Sequence, residues 1–293
     1  MRMKQRKSIF FAILAAALYA VSSPFSKLLL ERLSPTMLAA LLYLGAGTGL
    51  FLVGMIQKKT GSSRKEKPLT RKELPFVVGM VVLDIAAPIS LMIGLTMTTA
   101  ANASLLNNFE IVATGLIALF VFKEKISKQL WLGITLVTIA SILLSVEDLS
   151  SLSFSAGSAF VLLACVFWGF ENNCTRNLSS KNPLEIVVIK GFGSGAGSLV
   201  VAAVIGEFSL ELPYMLLALL LGFVAYGLSI FFYIYAQRYL GAAKTSAYYA
   251  VSPFIGTALS LIIFREIPSV SFLIALAVMI AGTYFVSKAE KAG

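Results

Sequence analysis

The sequence predicts an all-α integral membrane protein whose ten transmembrane helices form two inverted five-helix repeats. Composition is the first of three observations behind this prediction, because 58% of the 293 residues are hydrophobic and only 13% are charged. A soluble globular domain carries about 25% charged residues and needs polar side chains to cover its surface. The other two observations are a series of apolar stretches and an internal sequence repeat.

The apolar stretches have the length of membrane-spanning helices. A hydrocarbon core of about 30 Å is crossed by roughly 20 residues in a helix. Ten candidate spans follow: 8–30, 36–56, 74–95, 99–122, 128–146, 153–175, 184–206, 212–236, 244–264 and 268–287. The first follows a basic N-terminus as a signal peptide does, but its apolar stretch is longer than the usual length of about 7–15 residues. We expect it to be retained as the first helix.

The basic residues favour one side of these spans. With a cytoplasmic N-terminus, 20 of the 24 Lys and Arg residues fall in segments on the cytoplasmic side. Since positive loops stay inside, the sequence predicts a multi-pass protein of the cell (plasma) membrane with both termini in the cytoplasm. The net charge of +10 lies in short loops between apolar stretches. It therefore predicts membrane orientation in the lipid bilayer and no binding to nucleic acid.

Catalytic sites built on histidine are excluded, because the chain contains no His. The two cysteines, Cys165 and Cys174, lie in or beside an apolar stretch and predict no disulfide scaffold. We therefore expect no metal centre, no cofactor and no enzymatic activity.

The two halves of the chain repeat one another. A displacement of 148 residues places Pro35 on Pro183 and the glycines of the second helix on those of the seventh, which are Gly45, Gly47 and Gly49 on Gly193, Gly195 and Gly197. A displacement of 142 residues places Phe122, Lys123, Glu124 and Ser127 on Phe264, Arg265, Glu266 and Ser269. We place the repeats at 1–147 and 148–293. Because five is odd, consecutive copies insert in opposite senses, with a binding site near the midplane between them.

Segments of both halves resemble a known signature. The run from Ala101 to Ser127, which contains Glu110, and its counterpart from Ser252 to Glu266 resemble the doubled signature of EamA-type members of the drug/metabolite transporter superfamily. The resemblance covers nearly the whole chain and implies ten helices, cytoplasmic termini and alternating access for a small metabolite, often by export. Substrates of the family range from amino acids to organic cations and nucleotide-like compounds, so the resemblance implies a scaffold and not a cargo.

Each half departs from the family pattern at one position. The first half has Ile111 after Glu110, where many relatives have proline. The second half keeps Pro253 but has Ser252 in place of the acid. A proline kink directly after Glu110 is therefore not implied.

Four ionisable side chains lie inside the predicted spans: Asp84, Glu110, Glu171 and Lys190. Each costs about 2.5–3.5 kcal/mol at the bilayer centre, so each is expected to face a cavity or a partner. Asp84 lies roughly 15 Å from the inner end of its helix and Glu110 roughly 16 Å from the outer end of its own. We predict that these two acids bind substrate and couple transport to protons. The alternative is a paired or neutral structural role.

Neighbouring residues indicate a cavity beside the acids. Pro88 has no N–H and therefore frees the carbonyl of Asp84, four residues earlier. Helical spacing places four residues of the fourth helix on one face, Ala103, Asn107, Glu110 and Thr114. Asn107 is thus a further predicted substrate ligand.

Aromatic rings accumulate in the second half. The predicted aromatic ligands are Tyr226 on the eighth helix, Tyr249 on the ninth, and Trp168 three residues before Glu171 on the sixth. Such rings hold a cation or stack on a flat substrate. The alternative is that they fill helix contacts or lie at the membrane interface.

Glu171 and Lys190 lie at depths that allow contact, near the inner ends of the sixth and seventh helices. We predict an ion pair that is either structural or an inward gate, with Glu171 also a candidate substrate ligand. Alternatively, Lys190 receives a substrate carboxylate.

These features together predict a secondary active transporter of a small organic metabolite. Three acids against one base inside the spans favour a cationic or zwitterionic substrate, such as an amino acid or an organic amine. The sequence has no ATP-binding motif, so we expect an exporter that works by alternating access and draws on a gradient, with the proton as the possible coupling ion. The alternatives are a non-transporting membrane partner or sensor subunit and an intramembrane enzyme.

Overall fold

The computed structural model describes residues 2–60, 67–121, 127–148, 153–178, 180–208, 210–240, 245 and 248–292. Helices dominate this part of the chain, as the sequence predicts. One short antiparallel hairpin, Val146–Asp148 paired with Ser153–Phe154, joins the two halves. The signature segment 122–126 lies outside the described residues.

The first half contains helices α1 Arg2–Ala20, α2 Ser22–Leu29, α3 Pro35–Lys59, α4 Leu74–Met97, α5 Ala100–Leu106, α6 Phe109–Phe120 and α7 Lys128–Ser145. The second half contains α8 Ala156–Leu178, α9 Pro183–Val204, α10 Leu212–Leu221, α11 Ser229–Leu240, α12 Ser252–Phe264 and α13 Val270–Ala292. A π-helical segment, Gly222–Leu228, connects α10 to α11.

Helical structure occupies each of the ten predicted spans, and six helical segments are long and apolar enough to cross a membrane. These six are Lys7–Leu29, Pro35–Lys59, Arg71–Met97, Lys128–Ser145, Pro183–Val204 and Leu212–Ala236. Two shorter apolar helices, Ser252–Phe264 and Val270–Val286, accompany them within the described residues. The chain is therefore a multi-pass membrane protein.

Side-chain caps set the starts of several helices at equivalent positions of the two halves. Ser34 accepts a hydrogen bond from the Met37 N–H, and Asn182 accepts one from the Leu184 N–H. Both caps precede a proline at the first helical position, where the missing N–H costs nothing. A displacement of 148 residues relates the two caps.

In the part of the chain that the structure describes, three predicted spans are interrupted. The first is broken at Val21, between α1 and α2, and the fourth at Asn107–Asn108, between α5 and α6. The single helix predicted over 99–122 is therefore wrong in detail, because the Asn108 N–H bonds to the Leu105 carbonyl, three residues back. The ninth is broken at Ala250–Val251, just before α12. A displacement of 142 residues places the break of the fourth span within one residue of that of the ninth.

The main helix contacts join one half of the chain to the other. Helix α3 packs on α9, α7 on α13, and α5 on α12, while α4 packs on α8 and α1 packs on α11. Each of these helices lies in a span that has a counterpart in the other half. When every span is replaced by its counterpart, the first three contacts are unchanged and the α4–α8 contact becomes the α1–α11 contact. This is the pattern that a two-fold relation between repeats produces.

Glycines allow the α3–α9 contact. A Cβ atom on Gly191 would lie 2.4 Å from the Gly47 Cα atom, and a Cβ atom on Gly195 would lie 2.7 Å from the Leu44 side chain. Small residues at such positions let two helix backbones approach closely. The repeated glycines of the sequence therefore mark a helix interface between the halves.

The loops form two groups at opposite ends of the bundle. At one end, the Ser34 and Thr36 hydroxyls donate to Glu207, at 2.7 Å and 2.6 Å. At the other end, the Asn182 N–H donates to the Lys67 carbonyl at 2.9 Å, and the Lys181 ammonium lies 3.1 Å from Glu73. Loops that the sequence assigns to the same side of the membrane thus meet in the structure.

Candidate functional site

A buried cluster of three charges lies between the two halves of the bundle. The Lys190 Nζ atom on α9 is 3.0 Å from Asp84 Oδ2 on α4 and 3.0 Å from Glu171 Oε1 on α8. The exposed fractions of the three side chains are 7%, 0% and 2% in that order. Charges removed from water need close partners, and here each carboxylate contacts the same ammonium group.

Hydroxyl groups complete this charge cluster. The Tyr43 hydroxyl on α3 donates to Asp84 Oδ1 at 2.9 Å. The Thr175 hydroxyl, one turn along α8, donates to Glu171 Oε1. The cluster therefore joins four helices, two from each half.

Glu110 lies in a separate polar group. The Asn172 side-chain amide on α8 donates to Glu110 Oε1 at 2.7 Å and to the Thr114 hydroxyl at 3.3 Å. Unlike Asp84, Glu110 is only partly buried. The two predicted acids thus belong to different groups. Adjacent residues of α8 take part in one group each: Glu171 in the charge cluster and Asn172 in the group of Glu110.

Asn107 lies in the turn between α5 and α6 rather than on a helix face shared with Glu110 and Thr114. The turn separates it from α6, where Glu110 and Thr114 keep the predicted spacing of one turn. Asn107 instead borders a small cavity together with Tyr19. The predicted polar stripe is thus divided by the helix break.

Aromatic rings from several helices form a chain beside the charges. The Tyr226 ring centroid is 5.3 Å from that of Tyr43 and 5.7 Å from that of Tyr19. The Tyr249 centroid is 5.9 Å from that of Tyr19 and 5.0 Å from that of Tyr233. Because Tyr43 also bonds to Asp84, this aromatic chain begins at the charge cluster.

Hydrogen bonds fix two of these rings. The Ser22 hydroxyl lies 3.2 Å from the Tyr226 hydroxyl, to which it donates. Ser229 and Tyr249 have their hydroxyl oxygens 3.4 Å apart. Trp168 is buried in the main core cluster, with 5% of its surface exposed.

The sequence analysis missed three residues of this region: Tyr19, Tyr43 and Asn172. Tyr19 precedes a serine-rich break that ends at Pro24, which is a signal for a functional interruption of a span. Tyr43 lies one turn before Gly47, on the glycine face of α3, so the α3–α9 contact could have indicated it. No sequence pattern singles out Asn172, because its contact with Glu110 depends on which face of α8 packs against α6.

Negative charge is in excess in this region. Within the described part of the chain, no group of three or more His, Cys, Asp or Glu side chains lies close enough to hold a metal. The carboxylates exceed the bases by two in this region, and aromatic rings adjoin them. Such a combination attracts positively charged organic groups.

Comparison with known proteins gives a family and a shared fold. The model of the EamA-like transporter family matches residues 6–146 and again residues 155–288. An uncharacterized transporter of Methanothermobacter thermautotrophicus is 27% identical over 289 residues, which cover 93% of this chain and 83% of that protein. A protein of known crystal structure superposes with a TM-score of 0.67 at 15% identity and covers 98% of each chain, which shows a shared fold.

Proposed function

Because the chain belongs to the EamA-like transporter family, whose model matches almost its entire length, we propose that this membrane transporter is a secondary active exporter of small cationic or zwitterionic metabolites. Amino acids and organic amines are the substrate classes with this chemistry. The family and the name of its relative point to transport rather than to catalysis.

The observation that carries the proposal is the excess of buried acid at the boundary between the halves. Asp84 and Glu171 share the single ammonium group of Lys190, and Glu110 has a neutral amide as its partner. With all four groups ionised, the region carries two net negative charges. A cationic group entering from water would compensate this excess, whereas an anion would add to it.

The aromatic chain supports the same substrate class. The Tyr19 ring centroid lies 5.7 Å from that of Tyr226 and 5.9 Å from that of Tyr249. A ring face within about 6 Å of a cation attracts it. The substrate would therefore lie between the aromatic chain and the acids, with Trp168 and Asn107 close by.

Alternating access fits the way in which the halves contact each other. The charge cluster and the α3–α9 glycine contact both cross the boundary between the halves, so a rocking motion would change both. The two family matches, one per half, support ten spans in two inverted repeats. The meeting of loops at each end of the bundle supports cytoplasmic termini and a plasma-membrane orientation given by the basic residues.

Proton coupling is assigned to Glu110. A carboxyl group with a neutral hydrogen-bond partner and partial access is able to release a proton when a cation arrives and to take one up when the cation leaves. Exchange of cargo for protons then needs no ATP. Asp84 is less suited, because it is fully buried and its protonation would break an ion pair with Lys190.

Calorimetry with the purified protein tests the substrate class. The panel contains amines, amino acids, neutral sugars, nucleosides and purely anionic carboxylates. We expect binding by amines or amino acids and none by sugars or anions. Binding limited to uncharged or anionic compounds would contradict the proposed substrate class.

A further inference from the structure

A small cavity lies where the three interrupted spans meet. It is bordered by Ala20 at the end of α1, Ser104 on α5 and Ser252 at the start of α12, together with Tyr19, Asn107 and Gly256. We call it the serine pocket. Its volume of about 10 Å³ accommodates one group of the size of a water molecule.

Two of the three serines that line this pocket, Ser104 and Ser252, lack hydrogen-bond partners among the described residues. Ser104 is 2% exposed and Ser252 is fully buried, and neither hydroxyl oxygen has a partner among the described residues. A buried hydroxyl without a hydrogen bond is costly. The pocket therefore has hydrogen-bonding capacity that the described residues do not use.

A backbone carbonyl supplies a third oxygen. The usual donor to the Ala20 carbonyl would be the N–H of residue 24, but Pro24 has none. A Cβ atom on Gly256 would lie 2.9 Å from the Ala20 oxygen and 3.1 Å from the Ser104 hydroxyl oxygen. The two oxygens thus approach one point, which the absence of a side chain at Gly256 leaves open.

The surroundings of the pocket favour positive charge. All of its bordering residues are uncharged, and the ring of Tyr19 forms one wall. Glu110 follows Asn107 by three residues, at the start of α6. A carbonyl oxygen can only accept hydrogen bonds, and a cation beside an aromatic ring is stabilised by that ring.

We propose that the serine pocket binds the primary ammonium group of the transported substrate. An ammonium group has three N–H donors, and the pocket offers three acceptors in Ala20 O, Ser104 Oγ and Ser252 Oγ. The inference rests on the proposed function and deepens it, because a pocket of this size admits –NH₃⁺ but not a trimethylammonium group. The remainder of the substrate extends from Tyr19 along the aromatic chain.

Matched pairs of cations test the pocket in the full-length protein. Methylammonium is compared with tetramethylammonium, and 2-phenylethylamine with its N,N,N-trimethyl derivative, by calorimetry at one salt concentration. We expect the primary amine of each pair to bind at least about tenfold more tightly. Equal binding within both pairs, or no binding by either primary amine, would overturn the pocket. These results leave the cationic substrate class standing. That class is overturned if the protein binds neutral or anionic compounds and no cations.

Variants of pocket residues test whether the preference for primary amines arises in the serine pocket. Gly256→Ala places a methyl group between the Ala20 and Ser104 oxygens, so the affinity for the primary amine should fall about tenfold while that for the quaternary partner is unchanged. Gly115→Ala is the control, since its Cβ atom would meet only the Ile134 side chain, at 3.7 Å. If Gly256→Ala does not fold, Ser104→Ala and Ser252→Ala replace it, because their hydroxyls have no partner to lose.

A sodium series separates an ammonium pocket from an ion site. The melting temperature of wild type is compared in sodium chloride and choline chloride, without amines. We expect equal melting temperatures in the two salts. Stabilisation by sodium that Gly256→Ala removes would overturn the proposal and identify the pocket as a sodium site.

Discussion

Asp84 and Glu110 have the same chemical group and similar predicted depths, but their partners differ. Asp84 contacts the Lys190 ammonium and the Tyr43 hydroxyl, and it is completely buried. Glu110 contacts the neutral amide of Asn172 and is partly accessible. Protonating Asp84 would break one of the two ion pairs of Lys190 in a site without water and leave Glu171 as its remaining carboxylate partner, whereas protonating Glu110 breaks no ion pair. This difference supports Glu110 as the group that exchanges protons.

Replacing Glu110 by glutamine tests this assignment. Glu110→Gln should fold normally, because the side chains are nearly isosteric, and should lose accumulation of substrate driven by a pH gradient in proteoliposomes. Glu31→Gln, at an exposed loop position, is the matched control and should transport as wild type does. If Glu110→Gln still accumulates substrate under a pH gradient, Glu110 is not the coupling group and Asp84 becomes the candidate.

Removing the lysine of the charge cluster should destabilise the protein strongly. Lys190→Met leaves the carboxylates of Asp84 and Glu171 buried without their cation, which costs about 3–5 kcal/mol. A large fall in the melting temperature of the purified protein is the expected result. The control is Lys181→Met, because Lys181 and its partner Glu73 lie at the loop end of the bundle and are more exposed, at 17% and 18%, so a smaller change is expected.

A second variant separates charge from packing in this cluster. The double variant Lys190→Met with Asp84→Asn carries one uncompensated carboxylate fewer than Lys190→Met alone. It should recover part of the lost melting temperature. No recovery would show that the lysine acts through packing of its aliphatic chain rather than through its charge.

Helix interruptions and glycine faces are the features that matter at the scale of elements. The breaks at Val21, at Asn107–Asn108 and at Ala250–Val251 lie near one another, because α1, α5 and α12 pack together or through α2. Interrupted helices expose carbonyl and N–H groups inside a membrane protein only where these groups line a cavity. The breaks therefore place polar backbone beside the candidate substrate site.

Bulk on the glycine face of α9 should disturb the contact between the halves. Gly195→Leu adds atoms where even a Cβ would lie 2.7 Å from Leu44, so we expect impaired folding or a carrier held in one conformation. Ala196→Leu, the next residue on the same helix, is exposed and serves as the control. Melting temperature and transport rate are measured for both. Wild-type values for Gly195→Leu would contradict the packing role.

At the scale of the whole molecule, neither half forms an independent body. Nearly every major helix contact described above joins the first half to the second. In the proposed alternating-access mechanism the contacts between the halves change, and the charge cluster is one of those contacts. A substrate that alters the charge balance at this boundary would then influence which side of the carrier is open.

The orientation of the whole molecule is open to a direct test. In a background without Cys165 and Cys174, single cysteines replace Thr60 and Phe208, which are exposed at opposite ends of the bundle. A thiol reagent that does not cross membranes should label Phe208→Cys in intact cells and Thr60→Cys only after lysis. The reverse pattern would contradict cytoplasmic termini.

The sequence alone determined the membrane class, the helical fold and the family. The reason is that apolar length, charge asymmetry and internal repetition are properties of composition and spacing, which need no knowledge of contacts. It also identified the four ionisable residues inside the spans, because an ionisable residue in an apolar stretch is visible by its cost. The glycine faces of α3 and α9 were also visible in the sequence, because the spacing of their small residues repeats between the halves.

Partnerships were decided only by the tertiary structure. The sequence paired Glu171 with Lys190 by depth but could not add Asp84, because which faces of α4, α8 and α9 meet depends on how the helices cross. Asn172 and Tyr43 became relevant in the same way, through helices far apart along the chain. The break at Asn107–Asn108 was hidden as well, since no proline or glycine marks it. Local patterns specify what each helix carries, and long-range packing decides what each side chain meets.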